Sequence, residues 1–488
     1  KSVIILHILK LFYFLLLILT AMQALPQIHS IRVNQIGYQL FGQKYAFLAN
    51  MNTQSFDVCD AKTNEVVYTG SMGGGTYWDM SDETLQIADF SDFQTEGSYY
   101  IRSGEQTSFP FVIQKENIFT AISKASIRAF YYWRASTELL PEYATFNGVD
   151  FSRPLGHADT EVKIHKSAAT KTRPEGTLVS APKGWYDAGD YNLYVVNAGI
   201  SFHSLAFAYE LFPEYYKSLN LNIPESGNGV PDILNELKWE LDWLFAMQDE
   251  DGGVYTKLSS LRFCSMILPH EDNLERYMIG KSTASALDFA AMMAMASRIF
   301  ADYENDFPHV SEQALTAAKN AWNWAKKYPA VYYTNPIDVF TGGYTDKNVE
   351  DEFFWAAAEL YVTTKEKKYF EELNFNKDFT VPEWGNVTTL GLMSLVLHEN
   401  EFPQVKNIIR SSFDKLTADL FTKYENSGNR VPIVKYNWGS NGYIASCGSL
   451  LGLAYKIYGE SKYKHAMLSS WDYLLGCNPT DYCFVSGF

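Results

Sequence analysis

Two aspartates three residues apart are the residues of this chain whose types and spacing could support catalysis. Asp187 and Asp190 lie in the segment 184–191, Gly-Trp-Tyr-Asp-Ala-Gly-Asp-Tyr, where Gly189 allows a sharp turn. Two acids held together on a loop can bind one water molecule, because one orients it while the other takes its proton. The alternative is a structural turn in which Asp190 caps the helix that begins near Val195. Spacing alone leaves both interpretations open.

The elements that must position these aspartates fall into a strand-rich part and a helix-rich part. Between residues 29 and 113, short hydrophobic runs separated by turn residues predict a small antiparallel sandwich. From about residue 117, apolar residues recur at helical spacing and predict about a dozen helices with few strands. The clearest predicted helices cover residues 283–300, 311–327, 352–364, 391–398, 404–422, 449–458 and 463–475. Long aromatic loops between the helices are expected to build a site at one end.

Length and charge argue against several classes of function. A chain of 488 residues is too long for a single hydrophobic core, so two or more domains are expected. The formal net charge of −16 argues against nucleic acid or an anionic membrane as a partner and suits a neutral substrate. Aromatic residues make up 16% of the chain, which supplies rings for sugar stacking, although most such rings fill cores.

The first 24 residues have the pattern of a secretory signal peptide. A basic start at Lys1 is followed by an apolar stretch, with small residues at Ala21 and Ala24. Cleavage after Ala24 would yield a secreted protein, extracellular or periplasmic, without a membrane partner. An uncleaved membrane anchor is the alternative, because the apolar run is nearly long enough to span a bilayer. Since Lys1 stands where an initiating Met would be, the sequence is expected to be incomplete at this end.

The aspartate motif and several segments beyond it resemble glycoside hydrolase family 9, the inverting cellulases. The catalytic loop of that family reads Asp-Ala-Gly-Asp before an aromatic-rich helix, as residues 187–190 do here. Residues 31–38 resemble the opening of the immunoglobulin-like domain that precedes many of these catalytic domains. Further family blocks are matched in the same order by residues 222–232, 247–255, 355–361 and 438–441. The resemblance covers the chain from about residue 29 to its end.

This resemblance implies a multidomain enzyme with an immunoglobulin-like β-sandwich at 29–113 and an all-α (α/α)6 barrel at 117–488. It implies hydrolysis of β-1,4-glucosidic bonds in cellulose or related β-glucans by an inverting mechanism. In this interpretation Asp190 is the general base and Asp187 orients the water. Tyr186 and Trp438 are predicted to bind substrate, and for Trp438 a place in the core is the alternative.

Family members normally continue beyond the block that residues 484–488 resemble. The continuation holds a His-His-Arg motif that contacts sugar and the glutamate that protonates the leaving group, and neither is matched here. We therefore expect a chain truncated at its C-terminus, a barrel without its last helix, and no general-acid glutamate. Residues 1–488 alone are then expected to be inactive, since an inverting glycosidase needs an acid facing its base. The alternative function is that of a non-catalytic β-glucan-binding pseudoenzyme.

No cofactor is required by this chemistry, and no metal ligand is assigned from the sequence. Asp351 and Glu352 resemble an acidic pair that binds calcium in part of the family, so the candidate metal is a structural calcium ion. Gly385 stands where a further aspartate ligand is often found, and an acid-rich helix N-terminus is the alternative explanation of the pair. Zinc is not expected, because His157 and His165 have no cysteine nearby.

Overall fold

The structure, a computed structural model, describes residues 28–488 and begins with a β-sandwich. The predicted signal peptide at 1–24 lies outside the described residues. The strands of the sandwich are β1 Ile31–Arg32, β2 Tyr38–Gln39, β3 Tyr45–Ala49, β4 Ser55–Asp60, β5 Val66–Ser71, β6 Thr76–Trp78, β7 Glu83–Asp89, β8 Gly97–Ser103, β9 Gln106–Thr107 and β10 Phe111–Gln114. One sheet has the order β1-β3-β7-β6, and the other has the order β2-β10-β8-β4-β5, with β9 paired to β8.

Alternation of inward and outward side chains builds the core between these two sheets. In β8, for example, Tyr99 and Ile101 point inward and are buried, as the two-residue period of a strand requires. The sequence does not predict β7, since the polar Gln86 interrupts its hydrophobic pattern. In the structure Gln86 is buried because its amide donates to the carbonyls of Thr53 at 2.9 Å and Gly73 at 2.8 Å.

α-Helices are the main secondary structure after the sandwich. They are α1 Thr120–Trp133, α2 Pro141–Ala144, α3 Val195–Leu211, α4 Pro213–Ser218, α5 Asp232–Met247, α6 Thr283–Phe300, α7 Val310–Lys327, α8 Glu350–Thr364, α9 Lys367–Phe370, α10 Thr388–Leu397, α11 Lys406–Asn426, α12 Ser440–Tyr458 and α13 Ser461–Leu474. Short 3₁₀ turns lie at Lys166–Ala168, Ala301–Tyr303 and Glu399–Glu401. Each of the clearest predicted helices corresponds to one of these helices, with shifts at the ends.

The long helices pack successively around a common core. α6 packs on α3, α7 and α8, and α8 packs on α10, which in turn contacts α3 and α11. α11 then contacts α12, and α12 packs along α13. This arrangement is consistent with the predicted (α/α)6 barrel, and the absence of its last helix stays a prediction.

One helix of residues 28–488, Thr283–Tyr303, is long and apolar enough to cross a membrane by length and composition. It comprises α6 and the 3₁₀ turn that follows. In the structure 89% of its most apolar window is buried, which is the position of a core helix. Its composition is therefore explained by the packing of α3, α7 and α8 around it.

A small sheet, which the sequence does not predict, lies beside the aspartate motif. Its order is β14-β13-β17-β16-β15, and a separate hairpin joins β11 to β12. The bounds are β11 Thr145–Phe146, β12 Val149–Asp150, β13 Val162–Ile164, β14 Leu178–Val179, β15 Leu193–Tyr194, β16 Tyr255–Ser260 and β17 Arg276–Lys281. All residues of β16 are buried, yet four of the six (Thr256, Lys257, Ser259 and Ser260) are polar, so the sequence shows no hydrophobic pattern of a strand there.

The sandwich and the helical part share an apolar interface. Trp78 and Leu85 of the sandwich cluster with Val431, Ile444 and Leu474 of the helical part, and all of them are buried. The interface also contains buried polar groups that are satisfied by hydrogen bonds across it. The two parts therefore pack on each other rather than being joined only by the chain between β10 and α1.

Candidate active site

The loop that carries the two aspartates is held tightly at its start. Gly184 has a φ of 85°, and a Cβ there would lie 2.3 Å from Leu193 Cδ2, so the position requires glycine. The backbone N–H of Trp185 donates to Glu240 Oε2 at 2.7 Å. Gly189, by contrast, has open space where a Cβ would stand and no positive φ, so the turn expected at this residue does not require glycine.

Asp190 has one carboxylate oxygen held and one free. Its Oδ2 accepts hydrogen bonds from Asn192 Nδ2 at 2.8 Å and from the Tyr194 hydroxyl at 2.9 Å. Its Oδ1 is buried without a hydrogen-bond partner in the protein. The helix-capping alternative does not hold, because α3 begins after Tyr194 and receives no side-chain cap. A fixed carboxylate with one free oxygen is suited to take a proton from a bound water.

Asp187 has both carboxylate oxygens in use. Oδ1 accepts a hydrogen bond from Asn197 Nδ2 at 2.7 Å, and Oδ2 accepts one from the Tyr344 hydroxyl at 2.7 Å. Loss of solvent around the group raises the pKa of Asp187, the hydrogen bonds from Tyr344 and Asn197 oppose this rise, and the charge of Asp190 adds to it. Asp187 is therefore fixed in orientation, as a group that aligns a water molecule must be.

Three residues that hold the aspartates were not predicted from the sequence. Tyr194 and Asn197 follow the motif closely, at the start of α3. A prediction of where that helix begins could therefore have placed both side chains next to the loop. Tyr344 lies 157 residues from Asp187, and no spacing pattern links the two. The Tyr344 ring also packs edge-on against Trp384, with 5.3 Å between ring centroids. The half-exposed Trp384 thereby stands beside the aspartate site.

Comparison with known protein families identifies both parts of the chain. Residues 119–488 match the model of glycosyl hydrolase family 9. The chain belongs to glycoside hydrolase family 9. Residues 27–108 match the cellulase N-terminal ig-like domain. Both matches confirm the resemblance inferred from the sequence.

The relatives of this family 9 chain include endoglucanases. A xyloglucan-specific endo-β-1,4-glucanase of Bacteroides ovatus is 36% identical over 478 residues, which cover 94% of this chain and 80% of that protein. Endoglucanase D of Acetivibrio thermocellus is 32% identical over 471 residues, which cover 94% of this chain and 72% of that protein. A solved family 9 structure from Bacteroides ovatus has a TM-score of 0.87 at 36% identity, over 94% of this chain and 86% of that one. The chain is thus a glycoside hydrolase, and none of these relatives supports the pseudoenzyme alternative.

The two predicted substrate-binding residues of this family 9 enzyme lie in different environments. Tyr186 is buried, and its hydroxyl shares a hydrogen bond with His157 Nδ1 at 2.9 Å. His157 Nε2 lies 3.2 Å from Asp272 Oδ2, so this network helps to hold the aspartate loop. Trp438 is fully exposed on the loop before α12, so the alternative that places it in the core is wrong. Sugar contact by either ring stays a prediction.

An acidic cluster at the N-terminus of α8 has the donors of a calcium site. Carboxylate oxygens of Asp346, Asp351 and Glu352 lie within 4.8 Å of one another. Glu352 Oε2 and both oxygens of Asp288 are buried without a hydrogen-bond partner. Burial, reinforced by the charge of Asp288, raises the pKa of Glu352 to about 11. Carboxylate oxygens that lack hydrogen-bond partners are ligands suited to Ca²⁺. Asp351 and Glu352 also lie in the first turn of α8, where the helix dipole favours acids without a metal.

Proposed function

We propose that this family 9 enzyme hydrolyses β-1,4-glucosidic bonds of cellulose or a related β-glucan with inversion. Asp190 acts as the general base, and Asp187 orients the attacking water. The observation that carries the assignment is the contrast between the two carboxylates, because Asp190 keeps a free, buried Oδ1 whereas both oxygens of Asp187 accept hydrogen bonds. A xyloglucan-specific endoglucanase is among the relatives, so decorated β-glucans belong to the proposed substrate class.

The proposed reaction moves one proton from water to Asp190. Two hydrogen bonds hold Asp190 Oδ2, so Asp190 Oδ1 keeps its orientation toward the water. Oδ1 takes a proton from the water while the water oxygen bonds to the anomeric carbon. Each oxygen of Asp187 retains a lone pair, and one of these accepts the second hydrogen of the water. As the water oxygen bonds to the anomeric carbon, the bond between that carbon and the glucosidic oxygen breaks, and the glucosidic oxygen takes a proton from a general acid across a gap of roughly 6.5–9.5 Å.

No glutamate of this chain is assigned as that acid. We therefore expect residues 1–488 by themselves to hydrolyse soluble β-glucan slowly, because a glucosidic oxygen is a poor leaving group without a proton. Assays of hydrolysis should compare residues 1–488 with the chain plus any continuation that its gene encodes. Equal turnover by the two would place an unassigned acid within residues 1–488.

Substitution of the aspartates tests their proposed roles. In the chain that includes the continuation encoded by its gene, Asp190→Asn removes the base but keeps the shape of the side chain. There kcat on soluble β-glucan is expected to fall by about 10²–10⁴-fold while oligosaccharide binding is retained. Asp187→Asn is expected to lower kcat through loss of water orientation. Reducing-sugar release measures kcat, calorimetry measures binding, and ¹H NMR of the first product anomer tests inversion.

A matched control for these substitutions is Asp419→Asn. This change breaks an ion pair with Lys423 on the surface of α11 and is expected to leave kcat unchanged. Turnover by Asp190→Asn near the wild-type rate would refute its role as the base.

Trp438 is proposed to stack on a sugar ring, because a fully exposed indole flanked by Gly439 and Ser440 is open to a flat ligand face. Trp438→Ala is therefore expected to weaken oligosaccharide affinity, by about 1 kcal/mol if the contribution resembles that of other aromatic contacts. The melting temperature should stay unchanged, since the ring buries no core surface. Affinity by calorimetry and melting by circular dichroism decide the matter, and an unchanged affinity would contradict the stacking role.

We also propose two properties that lie outside the reaction. Asp346, Asp351 and Glu352, with Asp288 nearby, would hold a structural Ca²⁺ at the start of α8. Secretion is proposed from the signal-peptide pattern of residues 1–24. The proposed partner is a neutral β-glucan rather than nucleic acid or a membrane, because the chain has a net charge of −16. An exported protein whose mass still includes residues 1–24 would contradict cleavage of the signal peptide.

A further inference from the structure

Lys257 is a fully buried lysine next to the aspartate site. It lies on β16 directly opposite Tyr194 of β15 in the antiparallel register. Its Nζ donates to Asn335 Oδ1 at 3.0 Å, to Thr341 Oγ1 at 2.9 Å and to the carbonyl of Gly342 at 2.6 Å. These three acceptors match the three protons of an ammonium group, and none of them is an anion. Burying a charge without a paired carboxylate is costly, so the position calls for a reason beyond packing.

The backbone of Gly342 connects Lys257 to the proposed base. Its carbonyl accepts from Lys257, while its N–H donates to the Tyr194 hydroxyl at 3.1 Å. The Tyr194 hydroxyl in turn donates to Asp190 Oδ2 at 2.9 Å. A Cβ on Gly342 would lie 2.7 Å from Tyr344 Cε2 and 3.0 Å from the Tyr194 hydroxyl oxygen, so a side chain here would displace the tyrosines that hold the two aspartates. The amine thus fixes the residue whose N–H donates to the hydroxyl on Asp190.

The same segment reaches the second aspartate. Tyr344, two residues after Gly342, donates from its hydroxyl to Asp187 Oδ2 at 2.7 Å. Residues 341–344 therefore touch both carboxylates, one through Tyr194 and the other directly. Lys257 binds the beginning of this segment at Thr341 and Gly342. A displaced segment would release a hydrogen bond on each aspartate at once.

Two tyrosine rings and one carboxylate act on the charge of the Lys257 amine. The rings of Tyr194 and Tyr333 each lie 5.6 Å from Lys257 Nζ and favour its charge. The negative charge of Asp190, which accepts the hydrogen bond from the Tyr194 hydroxyl, also acts on the Lys257 amine. Burial lowers the pKa of Lys257 to about 7, and the negative charge of Asp190 opposes this lowering. Loss of a proton would leave two donors for three acceptors.

We propose that Lys257 is a positioning residue, whose ammonium group anchors residues 341–344 and through them orients both Asp187 and Asp190. The inference rests on the proposed function, since it concerns the geometry of the proposed base and of its partner. It assigns Lys257 no contact with substrate. Its consequence is that the aspartates are aligned only while the amine is protonated.

Replacement of Lys257 by methionine tests this role, because methionine fills a similar volume without donors. In the chain that includes the continuation encoded by its gene, Lys257→Met is expected to lower kcat by about 10²-fold, the scale of a misaligned catalytic group, with KM little changed. The wild-type kcat should decline as the pH rises through about 7, where the amine loses its proton. The part of that decline near pH 7 should be absent from Lys257→Met, which has no amine to titrate, so the kcat of this variant should fall only where the general acid loses its proton. Tyr194→Phe should also lower kcat, and the double variant should be no worse than the poorer single variant, since both interrupt one connection.

Two further variants separate this role from a merely structural one. Lys281→Met on the neighbouring strand β17 breaks ion pairs with Asp249 and Asp251, so it should lower the melting temperature but leave kcat and its pH profile unchanged. Thr341→Val keeps Lys257 and removes one of its acceptors, so the alkaline decline should move to lower pH. This variant also tests the proposal if Lys257→Met does not fold.

Three results would overturn the proposal. These are a kcat for Lys257→Met close to the wild-type value, a kcat that declines over the same pH range in that variant as in the wild type, or an equal loss of kcat in Lys281→Met. A failure of the proposed function itself has a different signature, because it would appear as retained turnover in Asp190→Asn.

Discussion

At the scale of single residues, Glu240 shows how a buried acid supports the aspartate loop. Its carboxyl group is fully buried and accepts the backbone N–H of Trp185, two residues before Asp187. Burial raises the pKa of Glu240 to about 8, the hydrogen bond from Trp185 opposes the rise, and the charge of Glu236 adds to it. The group is therefore neutral at the pH where most proteins are studied.

This raised pKa makes stability depend on pH in a defined direction. Because the folded-state pKa lies above the value of 4.5 for a solvent-exposed glutamate, the stabilising contribution of Glu240 is complete below pH 4.5 and is lost as the pH rises through about 8. Glu240→Gln imitates the neutral form of the side chain at every pH. Between pH 4.5 and 8 the free energy of unfolding should therefore fall less in this variant than in the wild type. The difference should be a few kcal/mol, since one pKa unit corresponds to about 1.4 kcal/mol. Urea unfolding at several pH values measures this. The control Glu214→Gln changes an exposed acid and should follow the wild type.

At the scale of elements, the start of α8 concentrates negative charge that the helix alone does not explain. Glu350, Asp351 and Glu352 occupy its first turn, where the helix dipole favours acids. The dipole does not account for Asp288, which α6 brings to the cluster with both oxygens unpartnered. A cation held by Asp346, Asp351 and Glu352 would offset this negative charge.

Calcium is therefore expected to stabilise the protein through α8. Addition of Ca²⁺ after treatment with chelator should raise the melting temperature by a few degrees, since binding at 100 times Kd contributes about 2.7 kcal/mol. Asp351→Asn should abolish this rise. Asp302→Asn, which changes an exposed acid outside the cluster, should keep it. A melting temperature that does not respond to Ca²⁺ in the wild-type protein would contradict a calcium site.

At the scale of the whole molecule, the sandwich and the helical part behave as one packed body. Trp78 of the sandwich is buried at the interface, and Gly428 leaves room for it, since a Cβ there would lie 2.9 Å from Trp78 Cβ. Asn34 Nδ2 donates to the buried Asp472 Oδ1 at 2.7 Å. Burial raises the pKa of Asp472 to about 7, and the hydrogen bond from Asn34 opposes the rise. The interface thus combines apolar burial with a satisfied polar pair.

Loss of Trp78 should weaken the coupling between the two parts. Truncation of a buried Trp typically costs about 3–5 kcal/mol, so Trp78→Ala is expected to lower the melting temperature and to separate the calorimetric transition into two. Tyr77→Ala, at the exposed neighbouring position of β6, should leave a single transition near the wild-type temperature. The same single transition in Trp78→Ala would show that this interface does not couple the two parts.

Elements of the fold could be predicted where their hydrophobic pattern lies within one continuous segment of the sequence. α6 occupies the predicted residues 283–300, because its apolar pattern is continuous over its length. α12 begins at Ser440, well before the predicted residue 449, because Asn441 and Gly442 favour a loop while Ile444 packs in the interface with the sandwich. The sheet around β16 was missed, since four of the six residues of this buried strand are polar.

That Asp187 and Asp190 lie on one loop, and that the chain resembles family 9, can be read from the order of the residues, because both depend on covalent order and on local residue types. The free oxygen of Asp190, and the groups that hold its other oxygen and both oxygens of Asp187, are evident only in the folded protein. Tyr344 and Lys257 reach the site through folding alone, Tyr344 from 157 residues beyond Asp187. Hydrogen bonds between such residues depend on how sheet, loop and helices pack in space, and no spacing in the sequence records that packing.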